Sequence, residues 1–95
     1  MNMGVLNKKP MRRADVWLRQ TKGENAIYDP SAGAVHLLNE TAKAIWDLCD
    51  GDTTVEEMVE AICLLTGMHR DIVVEDVDRV LTHLGAMGLL IWRVQ

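Results

Sequence analysis

The stretch from Leu38 to Gly51 (Leu-Asn-Glu-Thr-Ala-Lys-Ala-Ile-Trp-Asp-Leu-Cys-Asp-Gly) constrains this chain more than any other. It closes a short strand, caps a helix and ends that helix at a glycine. Asn39 can accept from the free N–H groups of the first turn. Glu40 sets a negative charge at the positive end of the helix dipole. Ala42, Ile45, Trp46 and Cys49 recur on one helical face, with Leu48 at its margin. Gly51 can take the left-handed conformation that ends a helix. Trp46 is then the largest anchor of the core.

The surrounding chain is short. Its 95 residues make one domain with one modest core. A hydrophobic content of 48% excludes compositional disorder. No apolar run approaches the ~20 residues of a membrane helix, and the first residues lack the apolar core of a signal peptide. With two cysteines, the expectation is a cytoplasmic protein with free thiols. The net charge of −4 is uneven. Residues 1–22 hold six basic side chains (Lys8, Lys9, Arg12, Arg13, Arg19, Lys22) and one acidic one, Asp15; the rest holds four basic and thirteen acidic. Such a basic arm suits an acidic partner or nucleic acid, and the plainer reading is a solvated tail.

Residues 1–9 carry no pattern and are expected to form a flexible tail, leaving residues 10–95 as a single domain. Val16 and Leu18 alternate with Asp15, Trp17 and Arg19, a strand with Trp17 on the polar side. Lys22-Gly23 signals a turn, Ala26-Ile27-Tyr28 a second strand, Asp29 to Gly33 another turn, and Ala34 to Leu38 a third strand. Helices follow. Thr54 with Glu57 fits a capping box, and Thr53 with Glu56 fits equally. Val55, Met58, Val59, Ile62 and Leu65 or Thr66 make the apolar face, and Gly67 ends the helix. A third helix has Asp71 as its expected cap and carries two neighbouring stripes: Val73, Val77, Val80, Leu84 and Met87, and Val74, Asp78, Leu81 and Gly85. That apolar surface is wider than one core contact requires. Gly85 costs about 1 kcal/mol relative to Ala, and admits close approach of another backbone. Leu89 to Val94 is a final β-prone run.

The order gives an α+β domain, winged helix-turn-helix-like, with a three-stranded antiparallel sheet followed by three helices. Many such domains bind DNA through the third helix. Here that helix sets Asp71, Glu75, Asp76 and Asp78 against Arg79, which disfavours phosphate contact.

Catalytic chemistry is not legible. Cys49 and Cys63 fall at helical core spacing with no Cys-x-x-Cys pair. His36, His69 and His83 are scattered, without zinc-ligand spacing; His36 and His83 suit a surface or a groove. Phosphate-binding glycine loops are absent. The expectation is a protein that is not an enzyme and holds no cofactor or metal.

Taken together, the residues resemble the PqqD family, the RiPP recognition elements. The resemblance is carried by Gly33 to Asn39, Thr41-Ala42, Ile45 to Leu48, Asp50-Gly51, Thr54 to Met58, Asp76-Val77, Leu81, Leu84 and Gly88 to Leu90, and covers about residues 10–92. It implies a non-catalytic adaptor for the leader of a ribosomally made precursor peptide. The leader is held as an added strand between the third strand and the third helix. It is then delivered to a modifying enzyme, a radical SAM enzyme in the pathway to the quinone cofactor PQQ. Carried over by position, the peptide-binding residues are Ala34, Val35, His36 and Leu37 on the strand. On the helix they are Val74, Val77, Asp78, Leu81, Thr82 and Gly85. Leu81 and Val74 would floor the groove, Val73, Val80 and Leu84 would face the core, and Asp78 would meet a basic leader residue. A winged-helix DNA-binding regulator and an enzyme accessory subunit without leader affinity are the alternatives. Monomer and dimer both remain open.

Overall fold

The computed structural model describes residues 6–93. The elements run β1 (Lys9–Arg12), β2 (Trp17–Thr21), β3 (Glu24–Asp29), β4 (Ala34–Leu38), α1 (Glu40–Leu48), α2 (Val55–Thr66), α3 (Arg70–Ala86) and β5 (Leu90–Arg93). β2, β3 and β4 form the expected antiparallel meander, in that order. Its turns fall at Gly23 and Gly33, with φ of 87° and 61°. These are left-handed values that glycine adopts without steric cost. Register places Leu18, Ile27 and His36 in one row and Trp17, Tyr28 and Val35 in the next. Alternation sends the first row toward the helices and the second outward. Ile27 is accordingly fully buried.

The helix boundaries have local causes. The Asn39 side-chain oxygen accepts from the Ala42 N–H at 2.8 Å. At the other end of α1, the Arg12 guanidinium donates to the carbonyls of Trp46 and Asp47 at 2.9 and 2.8 Å. These are carbonyls that a helix C-terminus leaves free. Cys49, rather than Gly51, caps this helix. Gly51 instead turns the chain at φ 82° and donates its N–H to the Pro10 carbonyl. Of the two candidate capping boxes, Thr54 with Glu57 forms. The Thr53 hydroxyl is taken by the Asp50 carboxylate at 3.0 Å. α3 starts one residue before the expected Asp71 cap, because His69 Nδ1 accepts from the Asp71 N–H.

The expected tail is shorter than nine residues. Lys9 opens β1, which pairs antiparallel with β5. The Lys8 and Leu6 carbonyls accept from the Val55 and Glu56 N–H groups, both at 3.1 Å. Leu6 also packs on the core, so the folded unit includes residues 6–9. Residues 1–5 of the expected tail lie outside the described residues. The basic arm is partly structural too. Besides Arg12, Arg13 binds Asp15 and the buried Asp29, and donates to Ser31 Oγ and the Gly88 carbonyl. It thereby ties the end of β1 to the β3–β4 turn and to the end of α3.

Two apolar clusters make the core. One joins Ile45 and Cys49 to Val55, Met58, Val59 and Ile62 of α2 and to Val73, Val77 and Leu81 of α3. The other sits under the sheet, with Val16, Ile27, Leu38, Trp46, Leu84 and Leu89. Val80 packs against both. Leu65, expected at the margin of the apolar face of α2, is exposed. Among the described residues no helix is long and apolar enough to cross a membrane.

Candidate functional site

β4 is an edge. Among the described residues it pairs with β3 on one side and with no strand on the other. An unpaired edge presents N–H and C=O groups to any incoming strand. Behind this edge lies a cavity of about 360 Å³, between the end of β4, α1 and α3. Its apolar walls are Leu37, Leu38, Ala42, Val80 and Leu84, and its polar lining is Asn39, Arg79 and His83. The Asn39 side-chain oxygen is committed to capping α1. The edge therefore combines main-chain pairing groups with a side-chain receptacle, the two parts that strand-addition recognition uses.

The sequence-derived residues divide along this cavity. On β4, Val35 and Leu37 are exposed at 61% and 65%, while Ala34 and His36 are half-buried. Leu37 lines the cavity; His36 faces Ile27 across the ladder instead. On α3 the expected flank is a different one from the flank the cavity uses. Val77 and Leu81 are buried in the helical cluster, and Val74 packs against it. Leu81 and Val77 are thus core residues, and Leu81 does not floor a groove beside β4. Asp78 is half-buried, and Thr82 and Gly85 are exposed. A Cβ placed on Gly85 would meet nothing within 4 Å, so no backbone approaches it closely.

The helix presents Arg79, Val80 and His83 to β4. At about 100° per residue, these lie on the opposite side of the buried Val73–Val77–Leu84 stripe from Val74, Asp78 and Gly85. Val80, expected to face the core alone, does both: it packs on the two clusters and lines the cavity. The one sequence signal for this flank was His83, whose position suited a groove.

The sheet also carries an apolar outer face. Trp17 is 60% exposed and stacks at a tilt on Tyr28, with ring centroids 5.7 Å apart. Val35 continues that row on β4. Elsewhere, chemistry is muted. Burial pushes the Cys49 thiol up to about 12, which keeps it from acting as a thiolate nucleophile near neutrality. Its Sγ donates to the Ile45 carbonyl.

The family model described as Coenzyme PQQ synthesis protein D (PqqD) matches residues 24–90, about two-thirds of the chain. The chain belongs to the PqqD family. The match runs from the first residue of β3 to the first of β5, narrower than the 10–92 that the residues suggested. Every element lining the cavity lies inside it. No curated protein matches the chain significantly. A solved structure, TbiB1 in complex with the TbiA(beta) leader peptide, is similar at 24% identity with a TM-score of 0.77. The likeness covers 90% of this chain and 99% of that one. It shows that this PqqD-family chain shares its α+β fold with TbiB1.

Proposed function

We propose that this chain is a non-catalytic carrier for the leader of a ribosomally made precursor peptide. The leader adds as a strand to the free edge of β4 and sends one side chain into the cavity against α3. The carrier delivers the precursor to a modifying enzyme, in PQQ or another peptide-maturation pathway, in the cytoplasm. The observation that carries this reading is the unpaired β4 edge backed by an apolar cavity. Membership of the PqqD family and a shared fold with a leader-bound protein support it. Ala34, Val35, His36 and Leu37 supply the pairing strand. On α3 the contact falls to Val80, His83 and Arg79. Of the flank first expected, Val77 and Leu81 hold the helix in place, while Val74, Asp78, Thr82 and Gly85 lie away from the peptide.

A duplex-binding role draws no support from the charge arrangement. α3 keeps Asp71, Glu75, Asp76 and Asp78, and its Arg70 is paired with Glu56. The test is a backbone NMR titration with the leader of the precursor encoded beside this chain. Shifts confined to Ala34–Leu38 and to Arg79, Val80, His83 and Leu84 are expected. Shifts on the α2-facing flank at Val74 and Asp78, or none with any neighbouring leader, would end this reading.

A further inference from the structure

The lining of the β4–α3 cavity is basic, within a part of the chain that is otherwise strongly acidic. Beyond residue 22 the chain holds thirteen acidic and four basic side chains. One of those four, Arg79, stands at this cavity together with His83, and no carboxylate lines it. The two are one helical turn apart, about 6 Å along the axis. In an extended peptide, side chains on the same face recur every second residue, about 6.6 Å apart. A carboxylate two residues from an apolar side chain therefore shares that side chain's face of the strand.

We infer that the site selects a peptide carrying an apolar side chain and, two residues away, a carboxylate. This rests on the added-strand reading above. The apolar side chain enters among Leu37, Leu38, Ala42, Val80 and Leu84. The carboxylate, on the same face of the strand, reaches Arg79 with His83 beside it. Asp76 is the competing group: it lies one turn earlier on α3 and pairs with Arg79. The guanidinium has five N–H donors in a fork and can serve a second carboxylate. The Arg79 side chain is 71% exposed, so its reach to a ligand is open. The sign is opposite to the basic leader residue that Asp78 suggested.

The test is selection from a displayed library of short random peptides on the intact chain, followed by titration of the winners. Enrichment of Asp or Glu two positions from an aliphatic or aromatic residue is expected. Changing that Glu to Gln in the peptide should weaken binding about five-fold, the size of an exposed charge pair. Arg79→Glu should favour the Lys-bearing peptide over the Glu-bearing one. Asp76→Asn should tighten the Glu-bearing peptide. Thermal melts of these surface variants check that the fold survives. Winners that bind at the β4 amides with no carboxylate preference, or with a basic one, overturn the acid-selection inference and leave the added-strand reading standing. Winners that leave the β4 amides unshifted, or no winners at all, overturn both.

Discussion

The meander has two free edges, and they are not equivalent. Among the described residues, β2 and β4 each pair only with β3, and both offer unpaired backbone groups. Both carry exposed apolar side chains on the outer face, Trp17 on one and Val35 on the other. The difference lies behind them. β4 is backed by α1 and α3 and the cavity between them, whereas the cavity that β2 lines with Trp17, Leu18 and Arg19 is walled, among the described residues, by strands alone. Backbone pairing alone accepts almost any strand. A cavity of fixed position adds the side-chain choice that turns an edge into a receptor.

The most disruptive way to break the contrast is to remove the wall that core and cavity share. Leu84 is fully buried and lines the cavity. Leu84→Ala should cost about 2–5 kcal/mol, read by urea denaturation. Next comes a pair of substitutions. Leu37→Lys on β4 should weaken leader binding about ten-fold, as loss of a central apolar contact does. Trp17→Lys on β2 should leave affinity unchanged by calorimetric titration; an equal loss from both would mean the edges are equivalent. A smaller effect is expected at the turn that sets the β4 register. Gly33→Ala places a side chain at φ 61° and should cost about 1 kcal/mol in thermal or urea unfolding.

The smallest effect near neutrality should come from acid. The Ser31 hydroxyl, then the Arg13 guanidinium and the Ala32 N–H, hold the Asp29 carboxyl below its usual range. A carboxyl lowered in the folded state contributes its stability above the unfolded value of 3.8. That contribution is lost as pH falls through the lower folded value. Little change is expected from pH 8 to 5, then a falling melting temperature below about pH 4, blunted in Asp29→Asn. Because Asp29 anchors the β3–β4 turn, NMR line-broadening under acid should reach β4 before β2.

What the sequence made legible was local. The three strands of the meander, the Asn39 cap, the Thr54 box and the burial of Trp46 each follow from residues within a few positions of one another. The flank of α3 did not. Val73, Val77, Val80 and Leu84 mark the buried stripe. Periodicity is symmetric about such a stripe and cannot tell which side meets α2 and which meets β4. That choice is made by docking, where Leu81 joins α2 and Val80 reaches the sheet. β1 was missed for a related reason. It is four residues with a proline in them, and its partner lies at the far end of the chain. The basic residues misled because charge counts carry no partners: Arg12 serves helix α1, and Arg13 serves a turn.

The β1–β5 ribbon has a mechanical consequence. Lys9 sits opposite Arg93 and Arg12 opposite Leu90, so the chain enters and leaves the ribbon at the same end. Tension between the two ends therefore peels the strands apart rung by rung instead of shearing all the rungs together. The Leu6 and Lys8 carbonyls come away from the start of α2 first, and the Lys9–Arg93 pair follows. Tension across the ribbon thus meets it in its least resistant geometry, while the three-stranded meander and its β4 edge lie later along the line of force.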